Sequence, residues 1–410
     1  MNLLGSLSET RAVLKSYADY FAAGGTNYEL WEHRHKAAQE AAAAAMPPTA
    51  SDPVPRSVDL MQGVSSTADW AQKREQIMHN LSVVMGPLPE KDPRPPQNAI
   101  FSKELIEPPE TGGLPVQRRE ICLEVEKNDF VKGYLLLPQI DDPDAVAPSP
   151  SFFSTPIPTI KLPAILCPHQ TTADPADGKR EPAGLGGDPS LHYALELAHR
   201  GYVTLTIDYP GFGENDSDPY KRGYESYTAK GIFNHIRAID FLASRVEVDP
   251  ERIGALGHSL GGHNSIFLAL FDPRIKVIGS SCGYTSFRRY AETVSAGLQV
   301  WAWKDKYMPR IETIFNNDID KMPFEWHDLI AALAPRPFFT NAPKRDANFD
   351  LSGVRDVLSA AKQVYALHGV AHVDETLPLV SPDVEHAFPK EVREQCYAFF
   401  DTHLKFDTLI

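Results

Sequence analysis

The feature that most constrains this chain is the pentapeptide Gly257-His258-Ser259-Leu260-Gly261, set between two apolar runs of different kind. The run before it, 252–256, is short and rich in aliphatic residues and reads as a buried strand. The run after it, 264–270, reads as a helix that stops before Asp272-Pro273. A serine at such a junction sits on a tight strand-to-helix turn, where its hydroxyl stands exposed at the edge of a sheet. The turn is too tight for side chains two residues before and two after the serine, which explains Gly257 and Gly261. A five-residue pattern with three fixed positions arises often by chance. It is the strand and helix on either side that give this one chemical meaning.

Those flanking elements belong to a longer rhythm. Strands are expected at 162–166, 202–207, 252–256, 275–280, 337–341 and 376–380. Helices are expected at 190–200, 224–244, 352–367 and 390–403. Alternation of this kind implies a mostly parallel sheet covered by helices on both faces. Before it, Ile121, Leu123 and Val125 alternate with polar neighbours and lead through Asn128-Asp129 into an apolar run at 131–137, the pattern of a hairpin. The stretch 139–159 is dense in Pro, Ser and Asp and reads as a surface excursion. Residues 1–99 read as a helical extension packed on a main domain of 100–410. Helices are expected at 28–46 and 68–85, and proline-bearing linkers follow each. An aromatic-rich insertion around 284–330 interrupts the strand–helix rhythm.

Composition removes several functions. The chain has 410 residues and a formal net charge of −14, the wrong sign for a phosphate-backbone binder. No run is long enough to span a membrane and the first twenty residues lack an apolar leader core, so a cytoplasmic location is expected. Cys122, Cys167, Cys282 and Cys396 are scattered without metal-ligand or redox spacing and read as buried thiols. No metal and no cofactor is implied, and the oligomeric state is open.

A serine hydroxyl is a poor nucleophile at neutral pH and needs a base, which in turn needs an orienting carboxylate. On an elbow of this type they follow in the order Ser, Asp or Glu, His. His386 is the candidate base, because its loop lies after the last expected strand and before the last helix, at the same sheet edge as Ser259. Asp346 is the candidate acid, in the loop after 337–341. Its rivals are Asp350 and Asp356, which suit the start of the next helix, and Asp374, which precedes the last strand. The oxyanion of a tetrahedral intermediate needs two N–H donors. One is expected from Leu260 and the other from Thr171 or Gln170, in the loop after 162–166. His169 is expected to stabilise that loop. Tyr284, Trp301 and Trp303 of the insertion are candidate pocket residues, beside Phe287, Tyr307 and Trp326.

On these residues the chain resembles the α/β-hydrolase superfamily, and within it the acetyl-xylan-esterase-like and dienelactone-hydrolase-like esterases. The likeness runs from about residue 162 to the C-terminus. Gly257-His258-Ser259-Leu260-Gly261-Gly262, Asp208-Tyr209-Pro210-Gly211-Phe212-Gly213, the Asp346 loop and Glu385-His386-Ala387-Phe388-Pro389 carry it. It departs from many of these relatives at His169-Gln170, where they have His-Gly. The resemblance implies a serine hydrolase that cleaves a small-molecule carboxylic ester through an acyl-enzyme. Gly262 also fits a prolyl-oligopeptidase-like peptidase, but the region before residue 162 is too short for that family's propeller. A non-catalytic, hydrolase-like binding protein would need a broken triad. An acid at the elbow, as in dehalogenases, is absent.

Overall fold

The computed structural model describes residues 59–92, 94–108, 112–140 and 160–404, together with Pro53 and Arg56. The helix expected at 28–46 and most of the excursion at 139–159 lie outside the described residues.

Among the described residues nine strands form one sheet: β1 (Gln97–Ile106), β2 (Val116–Glu126), β3 (Asp129–Pro138), β4 (Leu162–Leu166), β5 (Val203–Ile207), β6 (Val248–His258), β7 (Ile275–Ser281), β8 (Phe338–Asn341) and β9 (Leu379–Val380). Their spatial order is β1-β2-β3-β5-β4-β6-β7-β8-β9. The first three strands run antiparallel to one another, and β3 pairs antiparallel with β5. From β5 to β9 every pairing is parallel. β4, β5 and β8 are buried at every residue, as expected of strands covered on both faces.

The covering helices are α1 (Thr67–Met85), α2 (Tyr193–His199), α3 (Tyr227–Ala243), α4 (Leu260–Phe271), α5 (Phe287–Thr293), α6 (Arg310–Thr313), α7 (Trp326–Ala331), α8 (Leu351–Leu367), α9 (Val373–Thr376) and α10 (Lys390–Leu404). Their starts obey local chemistry. α3 begins at Tyr227 rather than 224 because the Ser226 hydroxyl accepts the Ala229 N–H at 2.9 Å. α2 begins at Tyr193, behind a 3₁₀ turn at Pro189–Leu191 that Asp188 caps.

The strand expected at 376–380 is shorter than its pattern suggests. The segment first makes the single turn α9, and the strand is only Leu379–Val380. Pro378 has no N–H for a ladder, and it contributes only its carbonyl, to Thr340 N–H at 3.0 Å.

α1 joins the main core. Trp70, Ile77, Leu81, Val84 and Met85 are buried in the same apolar cluster as the central strands. Its polar groups dock as well. Asn80 Nδ2 donates to the Pro323 carbonyl at 2.8 Å, and Arg74 donates to the Ala332 and Leu270 carbonyls. Among the described residues, no helix is long and apolar enough to cross a membrane.

Candidate active site

Parallel topology delivers the functional side chains to one edge. β6 ends at His258 and α4 starts at Leu260, leaving Ser259 as the single residue of the turn. Its φ of 51° and ψ of −118° lie where a side chain is strained. Hydrogen bonds hold it there: Ser259 N–H donates to the Ser281 carbonyl at 2.7 Å, and its carbonyl accepts the His263 N–H at 3.0 Å. A Cβ on Gly261 would sit 2.1 Å from the Pro168 carbonyl oxygen, and one on Gly257 would sit 2.3 Å from the Gly261 carbonyl carbon. Both contacts are impossible, so the two glycines are required by close backbone approach.

His386 and Asp346 meet beyond β9 and β8. His386 Nδ1 lies 2.8 Å from Asp346 Oδ2. The carboxylate is buried, and the imidazole is partly open to solvent. The other carboxylate oxygen, Oδ1, accepts the N–H groups of Asn348 at 2.8 Å and Phe349 at 3.1 Å. The rivals lie elsewhere. Asp350 caps α8 through Ser352 and Gly353, Asp356 reaches Arg289, and Asp374 pairs with Lys362 on the surface.

A second, hidden network supports the loop of His386. The buried His258 ring packs 4.9 Å from the His386 ring, centroid to centroid. Its Nδ1 lies 2.9 Å from Ser281 Oγ, which also accepts from Asn341 Nδ2 at 2.8 Å. The same amide donates to the Ala387 carbonyl at 2.9 Å. Asn341 thus ties β8 to the residue after His386. Burial, with a smaller contribution from His386, pushes His258 well below the usual histidine range, so it serves as a neutral hydrogen-bonding ring. Cys282 also lies close, and with Asp346 and His386 it presents ligand-type atoms within 4.8 Å of one another. Burial pushes its thiol well up, however, which disfavours the thiolate a metal would need.

The loop after β4 is held in one orientation. His169 Nε2 accepts the Tyr209 N–H at 3.0 Å, so the ring proton sits on Nδ1 and donates to the Gln170 carbonyl at 2.7 Å. In a trans peptide the next N–H points opposite to that carbonyl; the Thr171 N–H therefore faces away from His169. Thr171 lines the same cavity as Ser259 and His386, whereas Gln170 does not. The Gln170 side chain is spent on Glu181 and Tyr193. Leu260 opens α4, where first-turn N–H groups have no intrahelical acceptor.

The cavity measures about 280 Å³. Its walls include Trp301, Trp303, Tyr307, Tyr290 and Phe349, with Lys306 and Asn348 among them. Tyr284 is not one of them. It lies in the core, stacked on Trp326 at 5.5 Å, with its hydroxyl 3.0 Å from Thr340 Oγ1. Sequence reasoning also passed over Lys306, Tyr290 and Phe349. The signal available for Lys306 was a pair of lysines inside a run of aromatics, Trp301-Ala302-Trp303-Lys304-Asp305-Lys306-Tyr307, which does not separate it from Lys304.

Sheet order, strained serine and the histidine–carboxylate pair define an α/β-hydrolase of the serine type. Comparison with known proteins agrees. The family model for "Glucuronyl esterase, fungi" matches residues 226–369. YtaP of Bacillus subtilis (strain 168), a hydrolase by name, is 27% identical over 274 residues, covering 63% of this chain and 86% of that protein. Carbohydrate esterase MZ0003, from an unknown prokaryote, is 26% identical over 196 residues, 44% of each chain. The solved glucuronoyl esterase from Solibacter usitatus superposes with a TM-score of 0.63 at 19% identity, over 88% of this chain and 99% of that one, a likeness of fold. The chain is a carboxylic ester hydrolase with the α/β-hydrolase fold.

Proposed function

We propose that Ser259, His386 and Asp346 act as one catalytic triad on the ester bond of a carbohydrate. The observation that carries this reading is the His386–Asp346 contact of 2.8 Å, beside a cavity that the strained Ser259 also lines. Ser259 Oγ attacks the acyl carbon while its proton passes to His386 Nε2. Asp346 keeps the other ring proton on Nδ1 and steadies the imidazolium. The N–H groups of Leu260 and Thr171 receive the oxyanion. Collapse of the intermediate releases the alcohol, which takes the proton from His386. Water, deprotonated by the same ring, then frees the acid and restores Ser259.

The carbohydrate part rests on the cavity walls and on the relatives. Trp301, Trp303 and Tyr307 line a space of about 280 Å³, enough for one ring-sized ligand. The matching family model and MZ0003 are esterases of sugar derivatives by name. The test is turnover of methyl esters of uronic acids and of acetylated sugars, alongside aminoacyl anilides, by the native chain and by Ser259→Ala. We expect a sugar ester to be turned over with kcat/KM above about 10⁴ M⁻¹s⁻¹, and Ser259→Ala to lose that activity by several orders of magnitude. Preference for an anilide, or an active Ser259→Ala protein, overturns the proposal.

A further inference from the structure

The cavity beside Ser259 has an unbalanced charge. Among its described lining residues Lys306 is the one lysine or arginine, and no carboxylate joins it. Lys306 is 9% exposed, and its main chain is locked into the insertion: its carbonyl accepts the Tyr209 hydroxyl at 2.8 Å and its N–H donates to the Trp303 carbonyl at 3.1 Å.

The side chain reaches the loop after β4. Nζ donates to Thr171 Oγ1 at 2.6 Å. An ammonium has three N–H donors, and among the described residues no second acceptor lies within bonding distance of this one. What surrounds it is aromatic: the Tyr307 ring at 5.3 Å and the Trp303 ring at 5.9 Å. The imidazoles that feel its charge, His169 and His263, are themselves held neutral by burial. Burial pushes the ammonium down to about 7, with no opposite charge to offset it.

A buried cation with unused donors costs free energy unless something completes it. Ring faces and one hydroxyl do so only in part. Lys306 is itself one of the residues lining the cavity beside Ser259, and its one bonded partner among the described residues, Thr171, is another. We propose that Lys306 is a specificity residue that binds an anionic substituent, a carboxylate or a group of like charge, carried by the ester substrate close to its scissile carbonyl. The position beside Thr171 puts the anion near the reacting centre rather than at the far wall. The substrate class narrows accordingly, from esters of carbohydrates to esters of acidic ones. This inference rests on the catalytic reading of Ser259 above.

Two boronic acids test it, since each forms a tetrahedral adduct on a reactive serine: phenylboronic acid, and its 3-carboxy derivative. Inhibition constants are measured on the native full chain, on Lys306→Met and on Lys306→Gln. The native chain should bind the carboxylated compound at least about tenfold more tightly, the scale of one buried charge-assisted hydrogen bond. That ratio should fall to about one in both variants. The native ratio alone suffices should the variants fold poorly. A native ratio at or below one overturns the inference, as does a ratio that survives both substitutions. A uniform loss of both boronates in the variants also overturns it, because Lys306 would then serve the tetrahedral centre itself. Absence of boronate inhibition and of ester turnover in the native chain would overturn the Ser259 reading, and this inference with it.

Discussion

Asp346→Asn separates the charge and orientation of the acid from its shape. The native carboxylate uses its two oxygens differently: Oδ1 accepts the Asn348 and Phe349 N–H groups, and Oδ2 faces His386 Nδ1 at 2.8 Å. An asparagine must choose which end to turn each way. If the NH₂ faced the two backbone donors, both N–H groups would be left unsatisfied in a buried site. Each costs about 1–3 kcal/mol, roughly 2–6 kcal/mol together. The amide oxygen therefore stays on the backbone and the NH₂ faces the imidazole. An NH₂ can only donate, so His386 Nδ1 must accept and the ring proton moves to Nε2. That nitrogen then cannot take the Ser259 proton. The expected loss in kcat is about 10³–10⁴-fold, with thermal stability nearly unchanged because every backbone bond survives. Asp346→Ala, which forces no tautomer, should be no worse than the near-isosteric Asn. Steady-state ester hydrolysis with a parallel thermal melt measures both. A kcat for Asp346→Asn within about tenfold of native, or an Ala variant far less active than the Asn variant, would refute the tautomer argument.

Other outcomes follow from the same geometry. Gly261→Ala drives a methyl group into the Pro168 carbonyl, so it should abolish activity and destabilise by about 3 kcal/mol or more, read as a fall in denaturation midpoint. Asn341→Leu removes the tether to the Ala387 carbonyl and to Ser281. It should cost about 1–3 kcal/mol in stability and lower kcat more than it raises KM. Trp70→Ala should cost about 3–5 kcal/mol, because Trp70 is 1% exposed in the common core; a loss under about 1 kcal/mol would make α1 a loosely attached element. His263 is packed between the Phe267 and Trp301 rings with no hydrogen-bond partner among the described residues, and burial pushes it down to about 3. Its folded pKa lies below the unfolded value, so the unfolded chain binds the extra proton and stability falls as pH drops from about 6.5 toward 3, by about 2 kcal/mol at pH 5. His263→Phe should remove that share of the acid sensitivity, seen as a smaller difference between denaturant midpoints at pH 7 and pH 5.

The parts of the site that sequence disclosed share a physical reason. Ser259, Asp346 and His386 each sit just past the end of a parallel strand, and strand ends in a parallel sheet share one edge whatever the loops do. Finding the strands was enough to bring three residues, 127 positions apart at the extremes, to one place. The glycines around Ser259 were legible because a turn that tight leaves a steric mark. His169 was legible as a loop brace, though the bond that makes it one, to Tyr209 N–H, depends on a neighbouring strand end. What did not show was any contact across elements. Tyr284 and Trp301 look alike in sequence, yet one lies over β8 in the core and the other lines the cavity. β9 was overextended because 376–380 looks apolar enough for a strand, while Pro378 and the turn of α9 decide against it.

That division bears on how such a chain could change substrate without changing chemistry. Ser259, Asp346 and His386, the proposed nucleophile, acid and base, hang from β6, β8 and the loop beyond β9, and the network through His258, Ser281 and Asn341 locks those strand ends together in the buried core. The cavity wall comes largely from the segment between β7 and β8, where short helices and turns carry Tyr290, Trp301, Trp303, Lys306 and Tyr307. A substitution in the first group disturbs a parallel sheet and a strained turn. A substitution in the second replaces a side chain facing a cavity. Lys306 lies in the second group, but its ammonium reaches out of the wall to Thr171 on the loop after β4. A change of substrate preference at this position therefore acts beside the loop proposed to supply an oxyanion donor.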